Sequence, residues 1–153
     1  MKFQQTRFSC GPASLINGFR ALGLIVPKEP TIIRLCATTK KNGTTELDLA
    51  AGVVLLGYDV GGTETRNDVD FYLSQGRPVM LVSYKDTHWV TVVGRLGEDR
   101  WVVVDPDPDP WNTRENGCYV VPPDKLETKY VGIAILGKHS RQPKPKSRKR
   151  SRR

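Results

Sequence analysis

Apolar residues recur every three or four positions in the first half of the chain, which is the spacing of helices that bury one face. The first run follows Pro12, ends at Gly23 and consists of Leu15, Ile16, Phe19 and Leu22. Proline suits the first turn of a helix and glycine is typical of its end, so this run predicts a core helix. A short second helix is expected over residues 31–38, after Pro30.

Two further helices are predicted before residue 77. Thr45 is expected to cap the first, with Asp48 as its capping-box partner and Gly57 at its end. The apolar face of this helix is predicted to consist of Leu47, Ala50, Ala51, Val54 and Leu55. Asn67 is expected to cap the second, which ends at Gly76 and has the apolar residues Val69, Phe71, Tyr72 and Leu73.

After Pro78 the pattern changes to runs rich in β-branched and aromatic residues, separated by turn residues. The predicted strands cover residues 79–84, 88–94, 101–104, 118–121 and 130–136. Short connections between them imply an antiparallel sheet. Helices followed by strands predict an α+β fold, with N-terminal helices packed on a C-terminal antiparallel sheet.

Charge divides the chain into two parts. Nine of its 24 basic residues and none of its 16 acidic residues lie in residues 138–153, which leaves residues 1–137 nearly neutral. The C-terminal part has no large apolar residue, so we expect one folded domain over residues 1–137 and a disordered basic tail over residues 138–153.

Such a tail predicts salt-dependent binding to nucleic acid or to another acidic surface. The candidate contacts are Lys144, Lys146, Arg148, Lys149, Arg150, Arg152 and Arg153. The tail has no aromatic residue for base stacking, so sequence readout is not expected. The alternative is a solubilising tail without a partner.

No stretch approaches the roughly 18 apolar residues of a membrane span, and the N-terminus lacks an apolar signal region, so a cytoplasmic protein is expected. The three cysteines are an odd number without a Cys-x-x-Cys pair, which argues against a disulfide framework and a structural zinc site. Cys36 and Cys118 are expected to be buried, inert thiols.

Cys10 stands at the start of the first predicted helix, directly before Gly11 and Pro12. The unpaired N–H groups and the positive dipole end at such a position favour the thiolate, which is the nucleophilic form of cysteine. Cys10 is therefore a candidate nucleophile. The alternative is a buried structural cysteine in a capped core helix, because free cysteine is among the most buried residue types.

Residues near Cys10 could bind the substrate carbonyl group. Gln4 could donate a side-chain N–H to the oxyanion that forms during acyl transfer, and the adjacent Gln5 is an alternative donor. Gly11 removes a side chain beside the sulfur and so would leave room for the substrate. Trp89 is expected beside the same pocket.

His88 begins one predicted strand and Asp105 ends the next, so a hairpin would bring the two residues to the same end of the sheet. The carboxylate could then orient the imidazole toward the sulfur. Asp107 and Asp109 are alternative partners. His88 could instead be a histidine at the sheet rim, and Asp105 a solvent-facing turn residue. A Ca²⁺ site in this run is disfavoured, because alternating prolines spoil the spacing of a Ca²⁺ loop.

Five motifs follow one another in the order found in papain-like cysteine peptidases related to the bacteriocin-processing, double-glycine leader peptidases. They are Gln4 with Cys10-Gly11-Pro12-Ala13-Ser14-Leu15, then Gly43-Thr44, Gly76-Arg77-Pro78-Val79, His88-Trp89-Val90-Thr91-Val92-Val93-Gly94, and Asp105-Pro106. The chain resembles this family over roughly residues 1–136.

The resemblance implies a papain-like fold, with Cys10 as nucleophile, His88 as general base, Asp105 as orienting residue and Gln4 as oxyanion donor. It also implies hydrolysis of a polypeptide substrate through a thioester acyl-enzyme, without a cofactor. Two alternatives remain: an amidase or acyltransferase on the same scaffold, and a catalytically silent nucleic-acid-binding module. The basic tail is not part of the family pattern and would suit an enzyme packaged in a virus or phage particle.

Overall fold

A single antiparallel sheet organises the computed structural model, which describes residues 2–83, 88–107 and 117–139. Within those residues the sheet has six strands in the order β1-β6-β2-β3-β4-β5. The strands are β1 (Tyr58–Thr63), β2 (Val79–Ser83), β3 (His88–Arg95), β4 (Trp101–Val104), β5 (Cys118–Val121) and β6 (Thr128–Lys138). The helices are α1 (Cys10–Ala21), α2 (Glu29–Leu35), α3 (Glu46–Leu55) and α4 (Arg66–Ser74), with a short 3₁₀ helix at Pro123–Leu126.

Apolar layers cover both faces of this sheet. Helices α1, α2 and α3 pack on the face that carries Met80 and Trp89. Helix α4 packs on the opposite face, which carries Val79 and Leu81, because neighbouring side chains alternate along a strand. The predicted α+β fold, with N-terminal helices on an antiparallel sheet, is confirmed. The layer formed by α4 on the second face was not predicted.

Strand β1 is absent from the sequence prediction, because Gly61 and Gly62 give its sequence little strand character. Tertiary contacts explain it. The strand pairs with β6 from Tyr58 to Thr63. A side chain at Gly61 would collide with the Tyr72 ring of α4, so glycine lets this helix lie directly on the strand.

Helix α3 buries a different face from the predicted one. Its buried residues are Leu49, Gly52 and Val53, whereas Leu47 is 82% exposed and Leu55 also faces solvent. The helix is apolar nearly all round, so periodicity alone does not select a face. Gly52 selects it, because a Cβ atom there would collide with Cys36 at the end of α2. The prediction of the face was therefore wrong.

Thr65, rather than Asn67, caps helix α4. Thr65 Oγ1 accepts the Asp68 N–H at 3.2 Å, and Asp68 Oδ2 accepts the Thr65 N–H at 2.9 Å. Asn67 also has an acidic residue three positions on, Asp70, but that carboxylate accepts the Trp101 indole N–H at 2.9 Å. A tertiary contact therefore decides between two caps that the sequence offers.

The two cysteines expected to be inert differ in position. Cys36 is fully buried, as predicted. Cys118 is exposed, and that prediction was wrong. It begins β5, the last strand at one edge of the sheet, and residues of this strand alternate between exposed and half-buried.

The folded part continues past residue 137. Strand β6 ends at Lys138, and the His139 N–H donates to the Gly57 carbonyl at 2.9 Å. The His139 ring also contacts the side chain of Asp59. Residues 140–153, which include every candidate nucleic-acid contact, lie outside the described residues. No helix in the described ranges has the length and apolar character needed to cross a membrane.

Candidate active site

Helix α1 begins at Cys10 and carries the sulfur at its N-terminal end. The preceding Ser9 makes no side-chain cap, because its hydroxyl bonds the N–H and carbonyl of Thr6, at 3.1 and 3.2 Å. The helical hydrogen bond to the Ser9 carbonyl comes from the Ala13 N–H, at 3.0 Å. The N–H groups of Cys10 and Gly11 therefore have no helical acceptor, and the Gly11 N–H instead bonds the Cys10 sulfur.

His88 begins β3 and Asp105 follows β4, and their side chains meet at one end of this hairpin. His88 Nε2 lies 2.6 Å from Asp105 Oδ1. The Asp107 N–H donates to the same oxygen at 3.0 Å, and the Asp105 N–H donates to the Gly117 carbonyl at 2.8 Å. A carboxylate only accepts hydrogen bonds, so Nε2 carries a proton and Nδ1 is left for the sulfur.

Two buried hydroxyl groups hold α1 against the strand that carries His88. Ser14 Oγ donates to the Trp89 carbonyl at 3.0 Å, and Thr91 Oγ1 donates to the Ser14 carbonyl at 2.7 Å. Both side chains are fully buried. They join the first turns of α1 to the start of β3, and so set the position of the sulfur relative to the imidazole.

The Cys10 thiol and the His88 ring stabilise each other's charged forms. Burial opposes ionisation of Cys10, but the hydrogen bond with His88, the N–H groups of Trp89 and Gly11, and the nearby imidazolium charge lower its pKa below the ordinary 9.0. Burial likewise opposes protonation of His88, but Asp105 and Cys10 outweigh it and raise its pKa above the ordinary 6.5. Both shifts favour the thiolate–imidazolium form of the pair over the neutral form.

Gln4 lies beside the carboxylate end of the site. Its backbone N–H donates to the Pro106 carbonyl at 2.8 Å, and its side-chain Nε2 donates to the Thr6 carbonyl at 2.9 Å. A carbonyl oxygen only accepts hydrogen bonds, so the NH₂ end of the Gln4 amide faces Thr6. A primary amide has two N–H groups, so one is not used by the Thr6 carbonyl. Gln4 Oε1 is buried without a hydrogen-bond partner among the described residues.

The segment that carries Gln4 is held by two helices. Asn17 of α1 accepts the Lys2 N–H at 2.6 Å and donates to the Lys2 carbonyl at 2.9 Å. Glu29, at the start of α2, is 2% exposed and accepts the Gln5 N–H at 3.1 Å. Its other oxygen lies 3.1 Å from Lys2 Nζ, as an ion pair rather than an aligned hydrogen bond.

Gly11 packs closely against Thr44, and this contact requires a glycine. The sequence prediction gave another reason for a glycine here, namely space for the substrate beside the sulfur. A Cβ atom at Gly11 would lie 2.7 Å from both Cβ and Oγ1 of Thr44. Trp89 fixes the same loop, because its indole N–H donates to the Thr44 carbonyl at 2.9 Å, and its side chain is buried. Gly11 and Trp89 thus hold residues 43–44 beside the sulfur.

A cleft of about 300 Å³ opens beside the sulfur. It is lined by Arg7, Phe8, Cys10, Lys40, Lys41, Asn42, Gly43, Thr44, His88 and Trp89. A second groove of about 420 Å³ lies on the other side of the histidine and includes Asp105 in its wall. The imidazole therefore borders both the cleft and the groove.

The structure brings together Cys10, His88 and Asp105, with Gln4 nearby, while Asp109 lies outside the described residues. Sequence reasoning missed the residues that position them, above all Ser14, Thr91, Thr44 and Glu29. A signal existed for one of them: Ser14 interrupts an apolar run on a core helix, where a polar side chain needs a buried partner.

Solved structures similar to this chain are peptidase domains. The peptidase domain of Streptococcus ComA, a bifunctional ABC transporter of a quorum-sensing pathway, matches with a TM-score of 0.69 at 20% identity, over 91% of this chain and 97% of that chain. A double-glycine motif protease from an AMS/PCAT transporter, in complex with its leader peptide, matches with a TM-score of 0.66 at 18% identity, over 90% and 89%.

The peptidase domain of Streptococcus mutans ComA gives a TM-score of 0.64 at 18% identity, over 89% of this chain and 98% of that chain. No protein-family model matches the sequence, and no curated protein matches it. At these identities the likeness concerns the fold, over nearly the whole length of each domain. The chain therefore has the fold of the double-glycine peptidase domains, as the order of its motifs predicts.

Proposed function

We propose that this protein is a cysteine peptidase that hydrolyses peptide bonds through Cys10, His88 and Asp105. The observation that carries the proposal is the coupled pair at the end of α1: a thiol whose pKa is lowered faces an imidazole whose pKa is raised, and Asp105 holds that imidazole at 2.6 Å. A structural cysteine in an apolar core shows the opposite shift, as Cys36 does, whose pKa burial and Asp48 raise to about 12.

The reaction starts when the Cys10 thiolate attacks the carbonyl carbon of the scissile bond. The developing oxyanion accepts hydrogen bonds from the Cys10 N–H and from the second side-chain N–H of Gln4. The His88 imidazolium then gives its proton to the leaving amine, the C–N bond breaks and a thioester remains. This step leaves His88 neutral.

In the second half-reaction neutral His88 takes a proton from water, and the resulting hydroxide attacks the thioester carbon. The C–S bond breaks, the carboxylic acid leaves and the thiolate–imidazolium pair is restored. Asp105 takes no part in the proton transfers and orients the imidazole ring through both steps. Attack by an amine instead of water would give acyl transfer with the same residues.

We infer a polypeptide substrate from the open cleft and groove on either side of His88. The double-glycine motif protease with a similar fold was solved with its leader peptide, which supports the same class of substrate here. A binding module without catalysis would not need a lowered pKa at Cys10, and this disfavours the silent alternative.

Alkylation by iodoacetamide at pH 6.5 tests the proposal. We expect Cys10 to react at least tenfold faster than Cys36, whose pKa is raised, and faster than exposed Cys118. His88→Ala should slow the reaction of Cys10 by about tenfold, because it removes the cation that stabilises the thiolate. Peptide mapping by mass spectrometry gives the three rates.

The turnover test uses a peptide library and a peptide-aldehyde probe with the intact protein. Cys10→Ala should abolish cleavage and probe binding, while the matched Cys36→Ala variant retains both. Equal alkylation of all three cysteines in the folded protein, or cleavage that survives Cys10→Ala, would contradict the proposal. Release of a carboxylic acid rather than an amide of added amine distinguishes hydrolysis from acyl transfer.

We also infer that residues 140–153 form an anchor for polyanions, on the basis of their eight basic and no acidic residues. The described body is not strongly charged, so the anchor and the peptidase are separable parts of the protein.

A further inference from the structure

The cleft beside Cys10 is lined by three cationic side chains, those of Arg7, Lys40 and Lys41. No Asp or Glu is among the described residues that line it. The groove on the other side of His88 has both signs of charge, from Lys125 and Glu127. The positive lining therefore belongs to the side of the imidazole that faces the nucleophile.

These cations have no ion-pair partner among the described residues, and all three are exposed. Residues 1–137 carry nearly equal numbers of basic and acidic residues, so the three unpaired cations are a local concentration of positive charge at this cleft. Exposed charges without protein partners are available to pair with a ligand. The Cys10–His88 pair at the end of the same cleft adds one negative and one positive charge when both groups are ionised, so the excess of positive charge comes from Arg7, Lys40 and Lys41.

The two lysines stand on a fixed turn. Thr39 and Gly43 exchange backbone hydrogen bonds at 3.0 and 2.8 Å, which closes a loop with Lys40 and Lys41 at its tip. The Asn42 N–H also donates to Thr39 Oγ1 at 3.0 Å. Gly43 has a φ of 62°, in the left-handed region that favours glycine.

This turn is tied to the active-site helix and to the sheet. The Thr44 carbonyl accepts the Trp89 indole N–H at 2.9 Å, and the Thr44 hydroxyl bonds that of Thr38 at 2.7 Å. Gly11 of α1 packs against the Thr44 side chain. The backbone that carries Lys40 and Lys41 is thus held at a constant position relative to Cys10.

We propose that this cleft selects polypeptides that carry Asp or Glu within a few residues of the scissile bond. The proposal rests on the proposed peptidase function and adds the chemical class of the substrate. Carboxylates on the bound segment pair with Arg7, Lys40 and Lys41, and basic segments are repelled. Because the three side chains are exposed, the selection is moderate and weakens with salt.

The test compares three peptides that differ only at two positions flanking the cleavage site, which hold Glu, Gln or Lys. At 20 mM salt we expect kcat/KM for the Glu peptide to exceed that for the Gln peptide by about tenfold, and that for the Lys peptide by more. At 500 mM salt the preference should largely disappear.

Charge reversal identifies the residues responsible. Lys40→Glu/Lys41→Glu should remove the preference or turn it toward the Lys peptide. Lys28→Glu/Arg34→Glu makes the same change in net charge around α2, away from this cleft, and should leave the preference intact. Equal kcat/KM for the three peptides, or a preference that survives Lys40→Glu/Lys41→Glu, overturns the proposal.

A second readout does not depend on peptide cleavage. Iodoacetate is anionic and iodoacetamide is neutral. The rate of alkylation of Cys10 by iodoacetate, divided by its rate with iodoacetamide, therefore reports the electrostatic potential of the cleft, and exposed Cys118 is an internal reference. We expect Lys40→Glu/Lys41→Glu to lower this ratio at Cys10 several-fold and to leave it unchanged at Cys118. An unchanged ratio at Cys10 overturns the proposal, whereas failure of every peptide to be cleaved counts against the peptidase itself.

Discussion

Asp105 raises the pKa of His88, and this shift should appear in the pH dependence of the proposed activity. The proposed mechanism requires the thiolate and the imidazolium together, so activity should rise as Cys10 ionises at its lowered pKa and fall as His88 deprotonates at its raised pKa. The two limbs belong to the coupled pair rather than to either residue alone. A bell-shaped profile is therefore expected, with its alkaline limb well above neutral pH.

Asp105→Asn tests this control. The variant loses the carboxylate that raises the pKa of His88, so the alkaline limb of kcat/KM should move to lower pH by at least one unit. The maximal rate should fall by about tenfold to 1,000-fold, because the ring loses its orientation. The matched variant Asp99→Asn makes the same substitution at an exposed position of the turn between β3 and β4, and it should keep the wild-type profile. An unchanged alkaline limb in Asp105→Asn would remove Asp105 from the mechanism.

Glu29 acts at the scale of an element, because it ties the segment that carries Gln4 to helix α2. Glu29→Gln removes the charge that pairs with Lys2 and leaves the Gln5 N–H with a weaker acceptor. We expect kcat to fall about tenfold while the rate of Cys10 alkylation stays within about twofold, because the proposed oxyanion donor, Gln4, would move and Cys10 would not.

The comparison with Lys2→Met separates charge pairing from backbone positioning. Lys2→Met also breaks the ion pair but keeps Glu29 as acceptor for Gln5, so its kcat should fall less. Loss of Cys10 reactivity in Glu29→Gln would show instead that Glu29 supports the whole fold.

Contact between α1 and the loop at Thr44 gives a second test at this scale. Gly11→Ala places a Cβ atom 2.7 Å from the Thr44 side chain, so it should lower the free energy of unfolding by about 1–3 kcal/mol. Adding Thr44→Ala should recover part of this loss, as a double-mutant cycle measures. Gly94→Ala, where a Cβ atom meets nothing within 4 Å, is the control. Additive losses from Gly11→Ala and Thr44→Ala would refute the packing explanation.

At the scale of the whole molecule, the basic segment and the proposed peptidase body should act independently. Deletion of residues 140–153 removes eight basic residues and should abolish binding to duplex DNA at 50 mM salt, without a change in kcat/KM for a short peptide. Lys138 and His139 are retained, because they belong to β6 and its contacts with Gly57. If DNA binding survived this deletion, residues 1–139 rather than the basic segment would be responsible for it.

The elements of this protein were largely predictable where one local signal was clear. The run after Pro12, the Thr45 cap and the β-rich segments after Pro78 match α1, α3 and the central strands. Prediction failed where two signals were equal or none existed: at the apolar α3, at the competing caps of α4 and at glycine-rich β1. In each case a contact with another element made the choice.

For the site, the sequence by itself determined which residue types are present and the hairpin that joins His88 to Asp105, because strand pairing follows from local register. Only the tertiary structure decided where Cys10 lies relative to them. Buried bonds between Ser14, Trp89 and Thr91 set that position, and they join residues more than 70 positions apart. The charge of the cleft was likewise invisible in sequence, because Arg7 meets Lys40 and Lys41 only after α1 packs on the sheet.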